Sequence, residues 1–343
     1  MTARRRAEPA ARPPTLADIA REAGTSPSTA SRALSGRGYV SSSARERLLE
    51  AAQRLGYVPN ASARTLKQRT SRVVGVVVSD LGNQFYAGLV AGIEQTLRAH
   101  GYQMLLLGDN SEPHKELEGA RTFVAMRAPG VILTPVGADA ARLLARHGVA
   151  VVEVDRQLAT VGCDAVVVDN EGGARAATRH LLDLGHRRIG LLVVATDWTS
   201  DGRRLRGYLG AHEEAGVPVD ERLIVRVPRH ECDVDGRIDA LIDEARPSAI
   251  FAANNQLAEC AWRVLRRRAL RLPHDISLVG FDDVPWMEMV EPGITVVDQP
   301  TLEIGRAAAR LLVERLDDAD RPPVVEWLAP TLVVRGSTGN SRD

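Results

Sequence analysis

Two groups of residues in this chain of 343 have the types and spacing to do chemistry. The first follows the ends of short apolar runs: Asp80, Asn83, Phe85 and Tyr86, then Asp155 and Arg156, then Asp197, Trp198 and Arg204. It continues with Asn254 and Asn255, Asp282 and Asp283 with Trp286, and Gln299. Paired carboxylates, amides and guanidinium groups satisfy vicinal hydroxyls, and an aromatic ring covers the apolar face of a sugar. The set suits a polyhydroxyl ligand. The second group is Ser28, Thr29 and Arg32 near the start of a short helix, where Arg32 could make a bidentate contact to guanine and the hydroxyls could reach neighbouring base edges. Plainer readings stand beside these: Asp155 and Arg156 could form a strand-end salt bridge, Phe85 or Tyr86 could be core packing, and Asp283 could be structural or solvated.

Other chemistries find no support. No glycine-rich loop has the GxGxxG or GxxxxGK[ST] form, and no HExxH or closely spaced Cys/His set occurs. The 8 histidines are scattered and mostly close a helix or begin a loop. Cys163, Cys232 and Cys260 make neither a CxxC motif nor an even-numbered framework, which suggests a reducing compartment. Residues 1–14 carry arginines without a following apolar region, and no stretch has the length of a membrane span, so a cytoplasmic protein without cofactor or metal is expected.

The elements that must position these residues fall into two regimes. Residues 1–72 hold 14 of the 44 Lys/Arg but only 5 of the 44 Asp/Glu, so a basic front precedes an acidic rear. Only the front is built to meet a polyanion. Residues 1–14 read as a disordered arm. Thr15 is placed to cap a first helix, with Asp18 as the acidic half of a capping box, and Gly24 ends it. Ser26 caps a second helix from Pro27 to Leu34, and a third from about Ser42 to Leu55 covers the apolar faces, which makes a helix-turn-helix over 15–58. Pro59 stops the third helix and Asn60 can cap a short helix, 61–66, too short to be stable alone. Leu66 among Arg64, Lys67, Arg69 and Arg72 suggests an apolar wedge for the minor groove.

From 73 onward strands and helices alternate. Strands are expected at 73–78, 102–107, 130–134, 149–154, 165–168, 188–194, 223–227, 248–252, 276–281 and 325–334. Helices are expected near 84–100, 112–126, 138–146, 170–184, 203–215, 234–245, 254–268 and 301–316. Continuous apolar runs such as VVGVVV and RIGLL indicate parallel strands covered on both faces. There are too many for one sheet, so two doubly wound lobes are expected over 73–335, with 336–343 as a flexible tail. The ligand residues would then line the cleft between lobes, beyond the carboxyl ends of the strands.

The text TLADIAREAGTSPSTASRALSG at 15–36 and ARERLLEAAQRLGYVPNASARTL at 44–66 resembles the LacI family of bacterial transcriptional regulators. So do VVGVVVSDLGNQFYAGLVAGIE at 73–94, VDR at 154–156, GHRRIGLL at 185–192 and ISLVGFDD at 276–283. The resemblance implies an N-terminal all-α headpiece with a hinge helix at 59–72, followed by a two-lobed α/β body like the periplasmic sugar-binding proteins. It implies a homodimer, or a tetramer, on a near-palindromic DNA operator, with Leu66 inserted at its centre and helix 84–100 near the dimer contact. Pro27, Ser28 and Arg32 occupy positions associated with base reading, and Thr15, Thr29, Tyr57, Asn60, Ala63 and Arg64 complete the DNA-binding set. Asp155, Arg204, Asn254 and Asp282 match effector-binding positions, joined by Phe85, Tyr86, Arg156, Trp198 and Trp286. The expected function is a ligand-responsive repressor of carbohydrate-related genes. A soluble sugar-binding receptor and a transcriptional activator are the alternatives.

Overall fold

The short apolar runs become strands because each can be buried on both faces only inside a sheet flanked by helices. The structure, a computed structural model, describes residues 12–35, 38–58, 71–158, 162–196, 199–229 and 233–342. The expected hinge helix therefore lies outside the described residues. The chain divides into two units, Met1–Arg69 and Thr70–Asp343.

The first unit has three helices, α1 (Leu16–Glu22), α2 (Pro27–Ser35) and α3 (Ser42–Arg54). The expected capping box is formed: Asp18 N donates to Thr15 Oγ1, and Thr15 N donates to Asp18 Oδ2 at 2.9 Å. Those bonds hold the Asp18 carboxyl below its ordinary range. Gly24, at φ +63, turns the chain where a Cβ would be strained. Ile19, Ala20, Ala30, Ala33, Leu48, Ala51 and Ala52 make a small core, and its alanines let the helices cross closely.

The second unit contains two six-stranded sheets of identical order, β11-β5-β4-β3-β1-β2 and β12-β10-β9-β8-β6-β7. The first holds β1 (Val73–Val78), β2 (Gln103–Gly108), β3 (Gly130–Leu133), β4 (Ala150–Val154), β5 (Asp164–Val168) and β11 (Val325–Leu328). The second holds β6 (Ile189–Ala195), β7 (Ile224–Pro228), β8 (Ala249–Ala252), β9 (Ser277–Phe281), β10 (Thr295–Asp298) and β12 (Thr331–Val333). Every pairing described is parallel except that of β12 with β10. Helices α4 (Phe85–Ala99), α5 (Pro113–Ala125), α6 (Ala138–Arg146) and α12 (Thr301–Asp317) cover the first sheet. The second is covered by α7 (Asn170–Asp183), α8 (Thr199–Glu214), α9 (Val234–Ala240) and α10 (Asn255–Arg267), with α11 (Pro285–Met289) at its end.

Because α7 packs on the second sheet and α12 on the first, the chain passes between lobes three times, at 168–170, 298–301 and 328–331. Within each lobe one helix pair approaches to backbone contact. A Cβ on Gly92 of α4 would stand 2.2 Å from Leu302 O, and one on Gly305 of α12 would stand 2.0 Å from Leu89 O. Gly207 of α8 would come to 2.3 Å from Glu171 O in the other lobe.

Three expectations are corrected. The single strand at 325–334 is two strands in different sheets, broken where Pro330 cannot donate to a ladder. Strand β10 and helix α11 were not anticipated, each being short and bounded by Pro or Gly. The tail after 335 is no loose end. Ser337 is fully buried, donating through Oγ to Leu278 O at 2.6 Å and accepting from Thr295 N at 2.8 Å. Ser341 N reaches Leu184 O at 2.8 Å, and His186, enclosed in the same lobe, contacts Ser248, Ser277 and Gly339.

Candidate functional site

In the helical unit, the register that buries Ala30 and Ala33 turns Pro27, Ser28 and Arg32 outward and leaves Thr29 half-buried. Ser26 Oγ accepts from Thr29 N at 3.2 Å and lies 2.8 Å from Ser28 Oγ and 2.9 Å from Thr29 Oγ1. Arg32 Nε reaches back to Ser28 O at 3.4 Å. The exposed face of α2 thus presents a hydroxyl and a guanidinium one helical turn apart, a spacing that fits adjacent base edges in a major groove. Thr15 serves as the cap of α1, and Tyr57 is half-buried against the small core. Asn60, Ala63, Arg64 and Leu66 lie outside the described residues.

In the second unit a cavity of about 380 Å³ lies between the carboxyl ends of the two sheets. Phe85, Tyr86, Asp155, Arg156, Arg204, Asn254 and Asp282 all line it. Asp80, Asn83 and Gln299 from the strand-end set line it too, and Asp201, Arg229 and Gln256 join them. Asp201 escaped the sequence reading because α8 begins at Thr199, earlier than the 203 expected, so a first-turn residue was taken as loop. Trp198 lies outside the described residues. Trp286 is a correction: it packs on the core of the second lobe with its ring 5.8 Å from that of Trp262, and it does not line the cavity. The brief α11 turns this side chain inward, which loop placement had not suggested.

The lobes present matching groups. Asp155 follows β4 and Asp282 follows β9, the same strand in each sheet order, and both adopt left-handed backbone, at φ +65 and +72. Non-glycine residues in that region are uncommon and strained, and such strain concentrates at ligand sites. Asp155 Oδ2 sits 3.5 Å from Arg156 Nε, so the plain salt-bridge reading and the cleft placement both hold. Asp282 accepts from Asn255 N at 3.3 Å and from Gln299 Nε2. Burial pushes both carboxyls up, while Arg156 draws Asp155 down and Arg204 draws Asp282 down. Arg204 is itself fixed: Nε donates to Asn170 Oδ1 at 2.7 Å, Nη1 donates to Ala253 O at 2.6 Å, and the guanidinium lies 3.8 Å from the centre of the Phe281 ring. Asp283 turns away to pair with Arg335.

Side chains from opposite lobes meet at the cavity mouth. Asn255 Nδ2 donates to Asn83 Oδ1 at 2.7 Å, and Gln256 Nε2 donates to Asp80 Oδ2 at 3.0 Å. On the crossover side Gln157 N donates to Thr199 Oγ1 at 3.3 Å, and the Arg203 guanidinium covers the Trp327 ring at 4.4 Å. Asn254 caps α10 through Leu257 N at 2.8 Å. Behind the first lobe's face lie three buried carboxyls that burial pushes up, Asp109 to about 6 and Glu116 and Glu153 to about 7. Glu116 accepts from Val136 N and Gly137 N, and Glu153 from Leu158 N, which ties down the loop carrying Asp155 and Arg156. Among the described residues no group of three or more His, Cys, Asp or Glu is placed to hold a metal ion. No helix among them is long and apolar enough to cross a membrane.

This pairing of an exposed basic helix with a two-lobed cavity agrees with comparisons to known proteins. The family description "Bacterial regulatory proteins, lacI family" matches residues 15–60, and "Periplasmic binding protein-like domain" matches 178–338. The HTH-type transcriptional regulator CelR of Thermobifida fusca is 37% identical over 340 residues, spanning 95% of this chain and 98% of that protein. DegA of Bacillus subtilis, also an HTH-type transcriptional regulator, is 31% identical over 331 residues, with 94% and 98% covered. Among solved structures, a CelR–cellobiose complex superposes with a TM-score of 0.72 at 33% identity, covering 94% of this chain and 99% of that one. The lac repressor dimer bound to operator and the anti-inducer ONPF superposes with a TM-score of 0.83 at 25% identity, covering 96% and 100%.

Proposed function

The chain belongs to the LacI family of bacterial regulatory proteins, ligand-responsive DNA-binding regulators of transcription, and from that premise we propose a homodimeric, cytoplasmic repressor of carbohydrate-related genes whose effector is a sugar or sugar derivative. The observation that carries the effector class is the meeting of Asp155 and Asp282, at equivalent strand ends, across a cavity that also holds Arg204, amide side chains and the rings of Phe85 and Tyr86. Carboxylates and amides grip vicinal hydroxyls, and the aromatic pair supplies an apolar wall. Related proteins bound to cellobiose and to ribose support the same reading.

On the DNA side, Pro27, Ser28, Thr29 and Arg32 read base edges while Leu66 of the hinge wedges the minor groove at the centre of a near-palindromic operator. Effector and operator occupy separate sites, so whatever the effector does to operator affinity the operator does in equal measure to effector affinity. Asp282→Ala should abolish the effector's influence on operator binding while leaving operator affinity without effector unchanged. This is measured by fluorescence anisotropy on upstream DNA at fixed salt, and an undiminished response removes the cleft from the reading. Leu66→Ala should weaken specific operator binding about tenfold or more and spare effector binding, and equal operator affinity would dispose of the wedge.

A further inference from the structure

We propose that the cleft takes an uncharged, unphosphorylated sugar whose hydroxyl donates a hydrogen bond to Gln299 Oε1, and that it discriminates against sugar phosphates and sugar acids. This rests on the reading of the cleft as a sugar site and names the class of sugar. Gln299 is only 3% exposed and lines the cavity, yet its Oε1 is buried without a hydrogen-bond partner. Its orientation is set by a neighbour: Asp282 takes a backbone N–H from Asn255 on one oxygen and the Gln299 amide nitrogen on the other. A carboxylate accepts only, so the nitrogen of Gln299 must point at Asp282 and its oxygen at the cavity.

Asn255 repeats the pattern beside the cavity wall. Asn83 Oδ1 is occupied as an acceptor by Phe85 N and by Asn255 Nδ2, which leaves Asn255 Oδ1 as a second buried acceptor without a partner. A buried acceptor left unmade is costly, so the bound molecule is selected for its donors.

The cations are engaged elsewhere. Arg156 pairs with Asp155, and Arg204 is spent on Asn170, Ala253 O and the face of Phe281. The charge of Arg229 acts on Asp109, across the cleft. Against these three guanidinium groups stand the carboxyls of Asp80, Asp155, Asp201 and Asp282 in the same lining. A phosphate offers only acceptors at neutral pH and would meet Gln299 Oε1 and Asp201 with no uncommitted guanidinium to offset them.

The test uses the full-length protein in thermal titrations with matched probes: D-glucose and cellobiose against D-glucose 6-phosphate and D-gluconate, and D-ribose against D-ribose 5-phosphate. A neutral sugar should raise the melting temperature saturably, and its charged counterpart should bind at least tenfold more weakly. Charged forms binding as well as or better than their parents overturn the inference while keeping the sugar site. No shift with any member, in protein that still binds operator, overturns the sugar reading and the inference with it. For the sugar that binds, the deoxy and deoxyfluoro derivatives at each hydroxyl are then compared. At one position both should lose roughly tenfold to a hundredfold, because fluorine accepts but cannot donate. If every deoxyfluoro derivative binds like the parent sugar, no hydroxyl donates to Gln299 and the inference fails.

Discussion

A buried carboxyl shows most directly how single residues in this protein couple stability to solution conditions. An unfolded glutamate titrates near 4.5, and burial pushes Glu116 and Glu153 up to about 7. The folded chain therefore holds these protons more tightly than the unfolded one. The stability that follows is complete below about 4.5 and is lost as pH rises through about 7. The melting temperature of the lobed unit should fall between pH 6 and pH 8, and Glu153→Gln, which keeps an acceptor for Leu158 N, should flatten that fall when followed by calorimetry. An unchanged slope would mean that the Glu153 proton is already gone at pH 6. The same scale shows what could be read in advance. Asp155, Arg204 and Asp282 were legible because each follows an apolar run, and strand ends are where open sheets bind ligands. Asp201 and Gln256 were not, because their positions depend on where a helix begins, which sequence patterns locate only to within a few residues.

At the scale of elements, the helix pairs are set by glycines. Gly92 and Gly305 bring α4 and α12 to backbone contact in one lobe, as Gly207 brings α8 to α7 in the other. Gly92→Ala places a methyl group against Leu302 O with no side chain able to yield, so the helices must separate. The expected loss is about 1–3 kcal/mol in urea denaturation. A neutral Gly92→Ala would show that the crossing can relax at no cost. Most elements were legible, since continuous apolar runs and 3.6-residue periodicity mark buried strands and amphipathic helices. The exceptions share a cause. TVVD at β10 and PWMEM at α11 are too short to carry a period, and the run at 325–334 looked continuous although Pro330 signalled its break. The segment after 335 looked polar and idle, whereas its serines and glycines satisfy backbone groups of the second lobe.

For the molecule as a whole, the two lobes are joined at the cavity mouth by neutral or singly charged hydrogen bonds, each worth about 0.5–1.5 kcal/mol. Removing both, as Asn83→Ala with Gln256→Ala, should favour the open arrangement roughly tenfold or more. Small-angle scattering of the unliganded double variant should give a larger radius of gyration, and stopped-flow release of a bound sugar should speed up. Equal scattering curves would show that Asn83 and Gln256 do not hold the cleft shut. Neither pair was visible in the sequence, because 172 and 176 residues separate the partners and only the duplicated sheet order brings them together. The three passages of the chain between lobes carry a mechanical corollary. One tether would let the lobes twist and slide as well as swing, but three side by side leave bending about a single axis as the soft motion. Effectors of different shape must then drive the lobes along the same arc, so they differ in how far they hold it closed and not in the direction of the movement they transmit.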